Sequence, residues 1–251
     1  MDACEERPGS KQYGKVLLTL ADLGHGIGAG AAVLDFGCGG GSGVEYMRRR
    51  GFDAYGCDLR FKESDAVPEL EASGRVRRIE TAPYRLPFED DRFDLVFSCQ
   101  VFEHVSDYRE ALGEIRRVLR PGGRSLHIFP SRGRLIESHV RVPLASVFRP
   151  RWYLLLWALL GIRTRNQKGI SAREVARRNC EVLTERTNYL SRKAIASHVG
   201  EFFDEYAFCE LAAARHSRLR PAWPVLRRIP FASRLLGAFQ TRVLFFRKTP
   251  A

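Results

Sequence analysis

Apolar residues along this chain gather into short continuous runs that alternate with stretches of helical spacing. Ala32 to Phe36 is one such run. It is too uniformly apolar for a strand with one wet face and suits a central parallel strand covered on both sides. Ala54 to Cys57, Val76 to Ile79, Phe93 to Ser98 and Arg124 to Phe129 repeat it with varying strength. Between them, Ala111, Leu112, Ile115, Val118 and Leu119 recur at helical spacing, which predicts a helix from Asp107 to Leu119 that Arg120-Pro121-Gly122-Gly123 stops. Helices are also predicted over Lys11 to Leu23, from a cap at Ser42 to Arg50-Gly51, and from a cap at Ser191 to Gly200. Tyr206 to Ala214 and Thr241 to Arg247 read as two further strands, with Trp223 to Phe239 helical or irregular between them. Alternating strand and helix at this spacing means an α/β fold with a parallel sheet and right-handed crossovers.

Residues 131 to 190 break that rhythm, being helical, arginine-rich and aromatic. They read as a lid inserted over the carboxyl edge of the sheet, where open α/β folds bind their ligands. The expected organisation is one domain over 1–251, with a cofactor-binding core at 30–130, the lid at 131–190, and the rest of the sheet with a basic tail at 191–251. The run Trp152 to Ile162 is too short to cross a bilayer as a helix, so it reads as a buried or lid helix, or as an interfacial one.

The most specific chemistry lies at the first strand–helix turn, Val33-Leu34-Asp35-Phe36-Gly37-Cys38-Gly39-Gly40-Gly41. Glycines accept turn dihedrals that a side chain resists and let backbone approach a ligand. Asp58 ends the next strand, roughly 20 residues on, where a ribose hydroxyl pair lies in nucleotide-binding βαβ units. Asp35, ahead of the glycines, would repel a pyrophosphate but favour the ammonium and sulfonium of S-adenosylmethionine (SAM). The order Asp-x-Gly-x-Gly-x-Gly therefore favours SAM over a dinucleotide.

Charge and cysteines narrow the picture less. The formal net charge is +12, and no acid follows Glu210. This suits an anionic partner, whether phosphorylated substrate, acidic lipid surface or RNA, and equally a solvated basic face. The six cysteines form no Cys-x-x-Cys pair, so neither zinc site nor disulfide framework is expected. With no basic and apolar leader at the start, a cytoplasmic setting is expected, with the inner membrane surface as a place of contact.

With these residues in hand, the chain resembles the class I SAM-dependent methyltransferases, in particular the ubiquinone-biosynthesis-like group. The matching pieces are Val33 to Gly41, Asp58, Leu86-Pro87-Phe88 ahead of Phe93-Asp94-Leu95-Val96, Gln100-Val101-Phe102-Glu103-His104-Val105, and Leu119-Arg120-Pro121-Gly122-Gly123. The resemblance covers roughly residues 30 to 130. It implies a Rossmann-like, seven-stranded, mostly parallel sheet whose last hairpin places one strand antiparallel. It places Asp35, Gly37, Cys38 and Gly39 around the methionine end of SAM, Asp58 and Leu59 at the ribose, the residues around Ala82 beside adenine, and Gln100 across from the methionine portion. Many relatives carry an acid near the Ala82 position to accept the adenine amino group; here a backbone carbonyl or Glu80 would have to substitute.

Methyl transfer chiefly requires alignment of nucleophile, methyl and sulfur. A hydroxyl or phenol acceptor would also gain from a general base. His104, after the fourth strand, and His139, in the lid, are the candidates, against structural roles for each. In some quinone O-methyltransferases of the group a Glu-x-x-Glu-His stretch is associated with a divalent cation. Gln100 replaces its first glutamate here, so no metal is expected. The expected acceptor is a small molecule: a lipid, quinone, sugar or secondary metabolite, and an anionic one suits the arginines at 132, 134, 141, 149 and 151. An RNA methyltransferase is disfavoured because Cys99-Gln100-Val101-Phe102 stands where a base-methylation motif would be. A SAM-binding protein without catalysis, held at a membrane surface, is the remaining reading.

Overall fold

The computed structural model describes residues 11–250. Seven strands form one sheet: β1 Ala32–Phe36, β2 Asp53–Asp58, β3 Val76–Arg78, β4 Phe93–Cys99, β5 Leu119–Pro130, β6 Glu205–Phe208 and β7 Thr241–Arg247. Their order is β3-β2-β1-β4-β5-β7-β6, with β7 antiparallel to both neighbours and the rest parallel. This is the Rossmann-like sheet with an antiparallel hairpin that the sequence predicts. The helices are α1 Lys11–Asp22, α2 Ser42–Arg49, α3 Ala66–Ala72, α4 Tyr108–Val118, α5 Arg151–Leu159, α6 Ala172–Glu185, α7 Arg192–Gly200, α8 Glu210–Ala214, α9 Trp223–Leu226 and α10 Ala232–Phe239.

Side chains alternate across a strand, so a fully covered sheet needs a core on each face. One core packs Leu34, Phe36, Val96, Leu244 and Phe246 against Ala111, Leu112, Ile115 and Val118 of α4 and Ile195 and Val199 of α7. The other packs Val33, Leu95, Phe97, Leu126 and Val243 against α1 and α2. Each fully buried Leu or Ile contributes about 1.5–3 kcal/mol through lost apolar hydration. A third, separate cluster ties Val140, Val142 and Ala145 to Leu154 of α5 and Ala176 and Leu183 of α6, so the lid has a core of its own.

Three local expectations need correction. Ser42 does not cap α2: Gly41, at φ 78°, holds the N-cap position without any side-chain bond. The stretch Tyr206 to Ala214 is not one strand; it ends at Phe208 and turns into α8. There Glu210 is buried and paired with Arg242 at 3.0 Å, which fixes the turn away from the sheet. The lid is helical only from Arg151 on. Residues 131–150 run irregularly, held by a bridge between Ile136 and Pro143 and by Tyr153 Oη donating to the Pro143 carbonyl at 2.9 Å. Ser191 caps its helix as expected, accepting from Ala194 N–H, and Asp107, expected as the first residue of α4, caps it by accepting from Arg109 and Glu110 N–H.

Candidate active site

The turn after β1 is closed by its own hydrogen bonds. Gly37 and Cys38 N–H both donate to the Cys57 carbonyl, at 2.8 and 3.0 Å, and Gly41 N–H to the Cys38 carbonyl at 2.9 Å. Gly39 N–H donates to Asp58 Oδ2 at 2.8 Å, and Arg60 N–H to Asp58 Oδ1 at 3.1 Å. A phosphate-binding turn works by aiming free N–H groups at its ligand. Here the N–H groups of Gly37, Cys38, Gly39 and Gly41 are committed inside the protein, which leaves few for a pyrophosphate. Gly37, at φ 79°, has no room for a side chain: a Cβ there would stand 2.4 Å from Val101.

Asp58 sits half-buried at the mouth of the turn, with lone pairs left over beyond the two backbone bonds. Leu59 beside it is 56 % exposed, an apolar surface open to a planar base. Ala82 lies at the tip of a short hairpin, Glu80–Thr81 against Tyr84–Arg85, just beyond β3 and exposed. Gln100, exposed at φ 62°, follows β4 and donates its N–H to the Ile128 carbonyl. These residues line the carboxyl edge of β1, β2 and β4, and they fit a nucleoside with a non-phosphate tail.

Two assignments differ from their expected role. The Asp35 side chain is 3 % exposed and lies beneath the turn, where a Cβ on Gly43 would meet its Oδ2 at 2.1 Å and Tyr13 at 2.9 Å. Burial, then the charge of Asp58, push its carboxyl up to about 8. It therefore sits beneath Gly43 in the first turn of α2, as a neutral acid at pH 7, rather than on the open face of the turn. Cys38 likewise turns its thiol inward, toward Gly56. Burial raises the Cys38, Cys57 and Cys99 thiols far above their ordinary value, so all three act as packing and not as nucleophiles.

His104 and His139, 35 residues apart, meet over this edge with their Nε2 atoms 3.2 Å from each other. His104 comes from a short helical turn after β4, and His139 from the lid. The sequence named both but did not foresee their contact. It also missed Glu137 and Tyr189. Glu137, fully buried, accepts from His139 Nδ1 at 2.7 Å, from Tyr189 Oη at 2.6 Å, and from the N–H groups of His139 and Val140 at 2.7 Å each. Burial alone would raise its pKa, but the donors from His139, Tyr189 and Val140 outweigh that and hold it low. An acid two residues before a histidine was the available signal; Tyr189, 50 residues on, gave none.

Proton counting gives the dyad its character. His104 Nδ1 faces the Arg186 carbonyl oxygen, which can only accept, and His139 Nδ1 faces the ionised Glu137. Each Nδ1 must therefore carry the ring's proton. With both rings neutral, two Nε2 lone pairs point at each other. Glu103, 1 % exposed, adds a carboxylate with neither oxygen partnered, 3.9 Å from His104 Nε2. Burial pushes Glu103 up to about 7 and His104 down, while the bond to Glu137 raises His139. Three lone-pair-bearing atoms converge within 4.8 Å of one another and lack a donor among the described residues. Such a gap takes a proton or a cation. The argument from Gln100 against a metal does not account for His139, which the fold brings in from the lid.

A family model described as a methyltransferase domain matches residues 34–127. The ubiquinone biosynthesis O-methyltransferase of Roseobacter denitrificans is 33 % identical over 125 residues, 49 % of this chain and 50 % of that protein. That of Aeromonas salmonicida is 36 % identical over 99 residues, covering 38 % and 41 %. The chain thus spans about half the length, or less, of the curated relatives it matches. Among solved structures, a SAM-dependent methyltransferase from Mesorhizobium loti superposes with a TM-score of 0.50 at 15 % identity, covering 87 % of this chain and 91 % of that one. Geranyl diphosphate C-methyltransferase from Streptomyces coelicolor does so at 0.50 and 17 %, covering 95 % and 79 %. Residues 34–127 thus carry a methyltransferase domain, set in a seven-stranded sheet of the fold that these solved methyltransferases share.

Proposed function

We propose that this protein transfers the methyl group of SAM to a small-molecule acceptor that must lose a proton, with the His104–His139 pair as the general base. The observation that carries this reading is the convergence of two Nε2 lone pairs beside the glycine turn with no donor of the protein's own between them. SAM supplies an electrophilic methyl carbon on a positive sulfur. Asp58 and the turn hold the nucleoside end. Glu137, anchored by Tyr189, fixes the His139 tautomer so that Nε2 is the accepting atom. The Arg186 carbonyl does the same for His104. A hydroxyl or acidic carbon docked into the gap would donate to Nε2, leaving a positive dyad balanced by Glu137 and Glu103. A positioned base of this kind supplies about 10²–10⁴ in rate.

The unpartnered oxygens of Glu103 favour a second reading, in which Glu103, His104 and His139 hold a divalent cation. Nitrogen and carboxylate donors suit a transition metal, which would lower the pKa of an acceptor oxygen. One set of measurements separates the two. His139→Asn and Glu137→Gln should lower kcat by about 10²-fold or more and leave SAM affinity, read by calorimetry, unchanged. Manganese titrated under electron paramagnetic resonance should show no tight site. Normal turnover in both variants overturns the base, and micromolar manganese binding lost in His139→Asn assigns the cation instead.

The acceptor reading extends to anionic or lipid-linked molecules. Between Ser138 and Arg173 there is no acid, nor any after Glu210. Large apolar side chains stand exposed on both segments, including Trp152, Leu156 and Leu160 on and after α5, and Phe231, Leu235 and Phe239 along α10. Leu135 N–H, in the irregular part of the lid, donates to the Phe239 carbonyl at the end of α10. An apolar stripe bordered by arginines suits peripheral contact with an anionic bilayer. No helix among the described residues is long and apolar enough to cross one.

A further inference from the structure

A large cleft lies away from the glycine turn. It has a volume of about 1140 Å³ and opens between α1, the end of α2 and the segment after α8. Its lining carries Lys11, Lys15, Arg50, Arg218 and Arg220, together with Arg215 and His216, and among the described residues no carboxylate lines it. Asp22 answers only Arg215 and His216, at 3.2 and 2.8 Å. Among the described residues the other five cations have no acid partner. Lys15 is the most costly of them: burial pushes its ammonium down. Arg50 is held in place by stacking, its guanidinium 3.7 Å from the Tyr46 ring centroid. Leu17, Leu18 and the Tyr46 ring add apolar surface to the same lining.

Five cations gathered around one concavity repel each other, and desolvating Lys15 adds to the cost. An anion bound between them removes both penalties. Guanidinium groups bind phosphate in forked pairs, and a preset Arg50 loses little entropy in doing so. The volume exceeds what a bare phosphate needs and matches a ligand of cofactor size. The apolar part of the lining suits a ligand that carries an apolar portion too. We infer that this cleft is a second ligand site, for a phosphate-bearing amphiphile, distinct from the cofactor and acceptor sites at the carboxyl edge of the sheet.

The phosphate could belong to a lipid headgroup or to a soluble phosphate ester, and two probes distinguish them. Calorimetry at about 0.15 M salt would titrate the full chain, with and without saturating S-adenosylhomocysteine, using inorganic pyrophosphate and a short-chain phosphatidylglycerol below its micelle concentration. Micromolar binding of either probe, unaffected by the nucleoside, is expected. It should weaken at least tenfold in Arg218→Glu/Arg220→Glu and in Lys15→Met, but not in Arg165→Glu/Arg173→Glu, which alters the same charge elsewhere. Tighter binding of the lipid assigns a headgroup; tighter binding of pyrophosphate assigns a soluble ester. Thermal melts establish that each variant is folded, and Lys15→Met keeps the test open should the charge reversal fail to fold. Competition by S-adenosylhomocysteine, equal loss in the control variant, or binding of neither probe overturns the site.

Discussion

At the residue scale, the two central histidine environments are opposites. His127, fully buried within β5, is held neutral by a closed chain: Ser125 Oγ donates to the Val96 carbonyl, so it accepts from Nε2–H, and Ser98 Oγ donates to Nδ1. Burial pushes its pKa down from the ordinary 6.5 to about 3. Between those values the unfolded chain takes up a proton that the folded chain refuses. The contribution to stability is complete above about pH 6.5 and is lost as the pH falls, by up to about 1.4 kcal/mol per pH unit. Urea midpoints measured from pH 7 to pH 4 should fall accordingly, and the slope should flatten in His127→Gln, whatever that variant's baseline. An unchanged slope would mean that other groups govern acid unfolding.

At the element scale, the cofactor edge depends on one strand end restraining another. Asp58, ending β2, accepts from Gly39 in the turn after β1 and so closes the βαβ unit at the place we propose for the ribose. Asp58→Ala removes a charge-assisted bond of the turn together with the diol acceptor, each about 1.5–3 kcal/mol. SAM affinity should drop at least tenfold by calorimetry, and unchanged affinity would remove Asp58 from the site. The elements themselves were largely legible: continuous apolar runs marked β1, β4 and β7, and Asp107 and Ser191 marked helix starts. What failed were places where long-range contacts decide. Glu210 finds Arg242, 32 residues away, and converts a would-be strand into α8. Asp35 carries the right residue type for its motif, yet the close approach of α2 at Gly43 puts it under the turn. The Glu137–Tyr189 bond spans 52 residues, and no local pattern encodes it.

At the scale of the whole molecule, charge and exposed apolar surface lie on the lid and the late helices rather than on the sheet. Sedimentation with phosphatidylglycerol vesicles should retain the protein, and phosphatidylcholine vesicles should not. Phe231→Ser/Leu235→Ser should release it while leaving the melting temperature within a few degrees, because both side chains are more than half exposed (62 % and 52 %). Retention unaffected by these changes would place the contact elsewhere.

The lid's separate core has a consequence for the proposed base. Val140, Leu154 and Leu183 pack the lid around a centre of its own, whereas Phe102, two residues before His104, packs into the core of the sheet. His139 and Glu137 belong to the lid, while His104 and Glu103 follow β4. The base we propose is thus assembled across a seam between two separately packed bodies, and a substitution that loosens the seam would split the pair without unfolding either half.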